Sequence, residues 1–282
     1  MDAVNQMIEV DGVRLYTRRI GEGPPVVVLH GGPGAHHDYL LPQYDLLARR
    51  RTLLYYDQRG GGRSPIARDV PAGWREHVAD LERLREQWRL ERVTLLGYSW
   101  GGLLAVLYAL EHPDRVERLA LVCPAPIAAE WRDDFRQRLT AHAANPWIVT
   151  ARAELQASGL RESDPEKYHR AAFALSVAGY FRDPSKALQL SPFRVTQRTE
   201  QAVWDSLGAY DLRQRIRTTF PQGQAPPSLV VAGTYDPLPI EAARGLASLL
   251  ATSAIELPTG HVPHVEATEE FVRVLDGFLP HI

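Results

Sequence analysis

Val93-Thr-Leu-Leu96, then Gly97-Tyr-Ser-Trp-Gly101, then Gly102-Leu-Leu-Ala-Val-Leu-Tyr-Ala-Leu110: the reading of these consecutive runs decides the fold. The first run is short and apolar, the last is rich in Ala and Leu, and the five residues between them carry glycine at both ends. A buried strand, a tight turn and a helix packed back onto the sheet account for all three. Small residues let strand and helix approach, while the residue at the tip is driven into a strained conformation with its side chain exposed. That residue is Ser99, at the N-terminus of a helix whose dipole favours developing negative charge. Isolated G-x-S-x-G matches arise by chance, so the weight rests on the strand–turn–helix context.

Upstream, Met7-Ile-Glu-Val10 and Val13-Arg-Leu-Tyr-Thr17 alternate around Asp11-Gly12, a hairpin signal that predicts an antiparallel sheet edge. Pro25-Val-Val-Val-Leu29 and Thr52-Leu-Leu-Tyr-Tyr56 are continuous apolar runs, as expected of strands covered on both faces. The first leads into His30-Gly-Gly-Pro-Gly34 and the second into Asp57-Gln-Arg-Gly-Gly-Gly-Arg-Ser64. The glycines of the first leave backbone N–H groups accessible; the second is no phosphate cradle, since its glycines are consecutive and no GK[ST] follows. A helix is expected over about 39–48. Another is expected over 76–89, where Val78, Leu81, Leu84 and Trp88 recur at near-helical spacing.

Downstream, Arg118-Leu-Ala-Leu-Val-Cys123 reads as a strand and the pattern then changes. Residues 125–220 hold no strong strand run, and the stretch is read as a helical cap inserted into a core of 1–124 and 221–282. Pro221-Gln-Gly-Gln-Ala-Pro-Pro227 reads as the return linker. Strands resume at Ser228-Leu-Val-Val-Ala232 and Ala254-Ile-Glu-Leu257, and Glu269–Leu279 closes the chain as a helix. Alternating strands and helices predict a mostly parallel, twisted sheet with helices on both faces. The loops after Leu29, Leu96, Ala232 and Leu257 then gather at its carboxyl edge.

The 282 residues suit one large α/β unit, and a net charge of −2 leaves no electrostatic footprint for nucleic acid or an anionic membrane. Cys123 is the one cysteine, which excludes a disulfide framework and a Cys-rich metal site. The start lacks a charged region followed by an apolar one, and no run reaches membrane-spanning length, so a cytoplasmic protein is expected.

A serine hydroxyl needs a positioned base, and the base needs an orienting carboxylate. Asp236, in Gly233-Thr-Tyr-Asp-Pro237, and His261, in Pro258-Thr-Gly-His-Val-Pro-His264, follow the last two strands in the order this chemistry requires. The stretch after Cys123 offers no carboxylate before Glu130, which favours Asp236. His261 and His264 both lie in reach of the base position, and His261, after Gly260, is preferred. The two histidines lack a third ligand in a suitable motif, so no metal is expected. The N–H groups of Trp100 and Gly32 are the expected donors to an oxyanion. Candidates for a substrate pocket are His30, Tyr98, Trp131, Trp147, Trp204 and His264. His30 has a second reading as a brace for its own turn, and the tryptophans a second reading as packing between cap helices. His36-His37 are expected as a solvated pair at the pocket mouth, Asp57 and Arg59 as ties within the Gly-rich turn, and Cys123 as a small buried residue.

With these residues located, the chain resembles the proline iminopeptidase-type members of the α/β-hydrolase superfamily. His30–Gly34 matches that family's HGGPG, Asp57–Ser64 its DQRGxGxS, Ser99-Trp-Gly101 the SWG of its elbow, and Gly260-His261 its GH. The resemblance covers roughly residues 7–125 and 226–280. It implies the α/β-hydrolase fold, a helical cap, and removal of N-terminal proline or small residues from short peptides without a cofactor. It also implies cap carboxylates that hold the substrate's amino group, for which Glu130, Asp133, Asp134, Glu154, Glu162, Asp164, Glu166, Asp183 and Glu200 are all available. A carboxylesterase, lactonase or carbon–carbon bond hydrolase would use the same machinery, and a ligand receptor that kept the fold remains a reading of a different class. The elbow departs from the family at Tyr98 and Gly102, where another glycine and a small polar residue are common.

Overall fold

In a computed structural model, residues 2–221 and 224–281 are described; Gln222 and Gly223 of the return linker lie outside them. The described residues form eight strands in one sheet: β1 Val4–Val10, β2 Val13–Ile20, β3 Pro25–Leu29, β4 Thr52–Tyr56, β5 Val93–Tyr98, β6 Val116–Val122, β7 Ser228–Gly233 and β8 Ala254–Leu257. Their order across the sheet is β1-β2-β4-β3-β5-β6-β7-β8. The expected hairpin forms the edge, with β1 antiparallel to β2 and β2 antiparallel to β4, while the remaining strands run parallel.

The apolar runs of β3, β4, β5 and β7 are continuous because these strands bury both faces. Val27, Leu29, Leu54, Leu95, Leu119, Leu121 and Val230 pack into one core layer, while Val26, Val28, Leu53, Leu96, Ala120, Val122 and Val231 pack into the other. Each buried aliphatic side chain contributes about 1.5–3 kcal/mol, so a strand apolar on both sides gains most at the centre of the sheet. On the first layer lie α1 (Trp74–Gln87), α2 (Trp100–Glu111) and α9 (Ile240–Leu249). On the second lie α10 (Pro263–Glu266), which contributes Val265, and α11 (Thr268–Asp276), which contributes Phe271 and Leu275.

Between β6 and β7 the chain is helical: α3 Glu130–Ala143, α4 Pro146–Ala157, α5 Leu160–Ser163, α6 Pro165–Val177, α7 Gln197–Leu207 and α8 Arg213–Thr219. An isolated bridge, Ala128 to Asp211, closes the two ends of this insert. The helix expected over 39–48 is instead two short 3-10 pieces, His37–Leu40 and Tyr44–Arg49. Pro42 between them has no N–H and cannot continue an α-helix.

α2 is buried from Trp100 to Leu110, which places its N-terminus at the centre of the sheet's carboxyl edge. Gly101 permits this, since a Cβ there would overlap the Leu29 carbonyl. Ser99, immediately before the helix, has φ 53° and ψ −118°, a conformation costly for any residue with a side chain.

Candidate active site

Ser99 Oγ lies 3.0 Å from His261 Nε2, and His261 Nδ1 lies 2.8 Å from Asp236 Oδ2. A carboxylate only accepts, so Nδ1 carries the proton in the neutral ring and Nε2 is left to accept from the serine hydroxyl. The second Asp236 oxygen accepts the Leu238 N–H at 2.7 Å, which fixes the carboxylate plane. The two loops are held together by backbone: Tyr235 N–H donates to the Thr259 carbonyl at 3.0 Å and Thr234 N–H to the Leu257 carbonyl at 2.9 Å. The structure thus brings together three residues separated by up to 162 positions. A base aligned this way can take a hydroxyl proton as the oxygen attacks a carbonyl.

The His261 ring is enclosed by aromatics, with Tyr98 at 5.3 Å, Tyr180 at 5.4 Å and Phe135 at 6.4 Å between ring centroids. Its backbone is pinned from two sides. Its N–H donates to the Tyr180 carbonyl at 2.7 Å, and its carbonyl accepts from Tyr98 Oη at 3.0 Å. Cys123 presents its sulfur to the same place, with donor atoms of Cys123, Asp236 and His261 within 4.8 Å of one another. Two of those three groups already bond each other. Burial pushes the Cys123 thiol well above its ordinary pKa, so it stays a neutral, small packing group.

Gly32 and Trp100 face the same cavity as Ser99. Among the described residues neither backbone N–H donates to a protein acceptor, whereas the neighbouring Gly31 N–H donates to Tyr39 Oη at 2.7 Å. Gln58 ties this loop to the elbow. Its side-chain amide donates to the His30 carbonyl at 2.8 Å, its oxygen accepts Trp100 Nε1–H at 2.7 Å, and its own N–H donates to His30 Nε2 at 3.1 Å. Burial holds His30 down at about pKa 4, so it is a neutral brace for its turn and not a pocket residue.

Two lobes meet at Ser99. Both are lined by Gly32, Ser99, Tyr180, Glu200 and His261. One, of about 310 Å³, adds Trp100, Arg132, Phe135, Arg136 and Trp204. The other, of about 340 Å³, adds Tyr39, Tyr98, Phe181, Leu190, Phe193 and Val195. Glu200 is the member of the acidic set named above that lines both. Its position follows from the glycine loops. A Cβ on Gly60 would overlap the Thr199 side chain and one on Gly34 would lie 2.7 Å from the Thr196 carbonyl. Those bare glycines let the first turn of α7 dock, with Thr199 Oγ1–H donating to the Gly60 carbonyl at 3.1 Å. Glu200 and Trp204, one turn apart, then face the cavity. Burial pushes the Glu200 carboxyl up, with Arg132 acting against that rise.

Of the six pocket candidates, the cavity takes Tyr98 and Trp204. His264 instead sits edge-on to Tyr44 at 5.3 Å and to Tyr98 at 5.2 Å, and burial holds it at about pKa 3. Trp131 falls one residue off the face of α3 that carries Arg132, Phe135 and Arg136. Trp147, in the first turn of α4, is 42% exposed. His37 is not solvated: it is fully buried, with Nδ1 2.7 Å from Asp57 Oδ1. Asp57 also accepts from the Arg63 N–H at 3.0 Å and from Arg63 Nε at 2.8 Å, and Arg59 pairs with Asp80, so this turn is tied as expected. What the residues alone did not single out are Arg132, Phe135 and Arg136, whose i, i+3, i+4 spacing was the available signal.

Residues 24–268 match the family model described as alpha/beta hydrolase fold, and the chain belongs to that family. Within it, the chain is similar to the proline iminopeptidase of Lactobacillus helveticus (strain DPC 4571), at 28% identity over 99% of this chain and 98% of that one. Among solved structures, the proline iminopeptidase of Mycobacterium smegmatis superposes with a TM-score of 0.69 at 21% identity, covering 98% of this chain and 97% of that chain. The enol-lactonase of Burkholderia xenovorans LB400 superposes with a TM-score of 0.67 at 23% identity, covering 97% and 99%. Among the described residues no helix is long and apolar enough to cross a membrane.

Proposed function

We propose that the protein is a cofactor-independent serine hydrolase that works through an acyl-enzyme, with residues 125–220 acting as a cap over the core. Ser99 Oγ attacks the substrate carbonyl as its proton passes to His261 Nε2, and Asp236 stabilises the imidazolium through Nδ1–H. The oxyanion accepts from the Gly32 and Trp100 N–H groups. Collapse breaks the bond to the leaving group, which takes the proton from Nε2. Water then gives a proton to Nε2 and attacks the ester, releasing the acid and restoring Ser99. The Ser99–His261–Asp236 alignment carries this reading.

For the substrate we favour short peptides with a free N-terminus and a proline or other small residue there. Glu200 supports this: a carboxylate beside Ser99, without a hydrogen-bonded or ion-paired protein partner among the described residues, suits a protonated amine. The full-length similarity to a proline iminopeptidase points the same way. The second reading, a carboxylesterase or lactonase, is favoured by the aromatic lobe, whose Tyr39, Phe181, Leu190, Phe193 and Val195 suit an apolar acyl chain.

Prolyl and alanyl p-nitroanilides, their N-acetylated counterparts and a short p-nitrophenyl ester, assayed together, test both. Hydrolysis of the free amines with loss on N-acetylation is expected. Equal turnover of blocked and free substrates overturns the peptidase reading, and fluorophosphonate labelling that persists in Ser99→Ala overturns the mechanism.

A further inference from the structure

α3 turns Arg132 and Arg136 toward the Ser99 cavity. Arg136 is engaged, donating to Asp133 at 3.0 Å. Arg132 is not: among the described residues its guanidinium joins no ion pair and makes no side-chain hydrogen bond. What holds it is Trp204, with the guanidinium carbon 4.3 Å from the ring centroid. Trp204 in turn rests edge-on against Trp100, 5.6 Å away, the residue that follows the nucleophile. Stacking on an aromatic face leaves the in-plane N–H fork free, which is the geometry that meets a carboxylate with two parallel hydrogen bonds.

The placement divides the cavity chemically. Beyond the residues both lobes share, Glu200 among them, the lobe with Tyr39, Phe181, Leu190 and Phe193 is mainly apolar, and Arg132 belongs to the other. A substrate straddling Ser99 puts its acyl part in one lobe and its leaving group in the other. Burial lowers the Arg132 pKa and so disfavours the bare cation, a cost that an anion in the lobe relieves.

We propose that Arg132 binds a carboxylate carried on the leaving-group side of the substrate, so the protein selects leaving groups that end in a free carboxylate close to the scissile bond. Taken with Glu200 as the anchor for the amine, a step that rests on the peptidase reading above, the substrates are di- and tripeptides with both termini free. Arg132 is then a specificity determinant for chain length, because a longer peptide carries its terminal carboxylate out of reach.

The test compares prolyl-alanine with prolyl-alanine amide on the wild type, Arg132→Gln and Arg132→Lys. A charge-assisted pair predicts about a tenfold or greater advantage in kcat/KM for the free acid, mostly in KM. That ratio falls to near one in Arg132→Gln and is partly restored in Arg132→Lys. Calorimetric titration of wild type and Arg132→Gln with 3-phenylpropanoate and with 3-phenylpropanamide reads the same site without turnover. Binding of the anion over the amide in wild type alone supports the proposal even if no peptide is cleaved, in which case the peptidase reading fails by itself. Equal binding of acid and amide by the wild type, or an acid preference that survives in Arg132→Gln, overturns it. So does peptide cleavage by the wild type without any preference for the free acid.

Discussion

Glu266 Oε2 accepts the Gly260 N–H at 2.6 Å, one residue before the histidine that faces Ser99. Its other oxygen accepts the N–H groups of Arg182 at 2.9 Å and Asp183 at 3.2 Å. One half-buried carboxylate therefore joins the insert to the loop of the base. Glu266→Ala leaves three donors without their acceptor, at a cost of about 1–3 kcal/mol for each that stays buried. Glu266→Gln keeps one acceptor oxygen and is expected to be milder. Urea unfolding reads the stability, and steady-state kinetics on a chromogenic ester should show kcat falling while KM changes little. An unchanged kcat in Glu266→Ala would show that the loop holds itself.

Gly32 has φ +62°, and a Cβ there would meet its nearest neighbour, the Ala35 side chain, at 3.4 Å, so a larger residue is strained but not sterically blocked. Gly32→Val should twist its peptide away from the oxyanion and lower kcat by about 10²–10³-fold, the loss typical of one donor. Gly12 is also left-handed, at φ +79°, in the β1–β2 hairpin. Gly12→Val carries the same backbone penalty far from Ser99 and is expected to lose stability alone. A parallel kcat loss in both would assign the Gly32 effect to folding.

Strain at the elbow has its own signature. With φ 53° and ψ −118°, Ser99 occupies the mirror image of an ordinary extended conformation, which glycine adopts without penalty. Ser99→Ala and Ser99→Gly should both lose fluorophosphonate labelling. Ser99→Gly should melt a few degrees above Ser99→Ala, since relief of about 1 kcal/mol shifts Tm by roughly 2–4 °C in a chain this long. The reverse order would mean the turn is not strained.

Acid should destabilise the fold through its buried histidines. Burial holds His264 and His77 at about pKa 3 and His30 at about 4. Below an unfolded value of about 6.5 the unfolded chain binds protons that the folded chain refuses. Stability is therefore full above that pH and falls as the pH drops toward 3–4, by up to about 1.4 kcal/mol per pH unit for each histidine. His264→Phe fits an aromatic surrounding of Tyr44, Tyr98 and Phe271 and should flatten the slope by one histidine's share in urea titrations between pH 7 and pH 4.5. A slope unchanged from wild type would mean His264 is protonated in place.

The sheet was legible because burial on both faces writes an uninterrupted apolar run, and β3, β4, β5 and β7 all begin and end within a residue or two of those runs. Ser99, Asp236 and His261 were legible for a related reason: each follows a strand of the parallel sheet, so topology brings them to one edge. The cavity wall was much less so. α3 carries charge around its whole circumference, and no residue of it is fully buried, so periodicity could not say which face turns inward. Its inward face meets residues distant in sequence, with the Phe135 ring 6.1 Å from that of Tyr180 and the Arg132 guanidinium 4.3 Å from that of Trp204. α7 itself docks on Gly60 through a contact spanning 139 residues at Thr199. No local pattern records these contacts. Large indoles were a poor guide for the same reason, since Trp147 faces solvent and Trp204 the cavity. The burial of His37 has no local signal either, because its partner, Asp57, arrives from the end of another strand.

The Tyr180 carbonyl that receives the His261 N–H also marks where the insert can be exchanged. A chimaera that takes residues 130–177 from a relative replaces Arg132, Phe135 and Arg136 in the cavity wall but keeps residues 180–183 and their bonds to the 260–266 loop. One whose graft runs on through 183 replaces the main-chain support of the histidine together with the pocket. The two grafts separate a change of substrate from damage to the base, and the junction between them lies in the three residues Ala178–Tyr180.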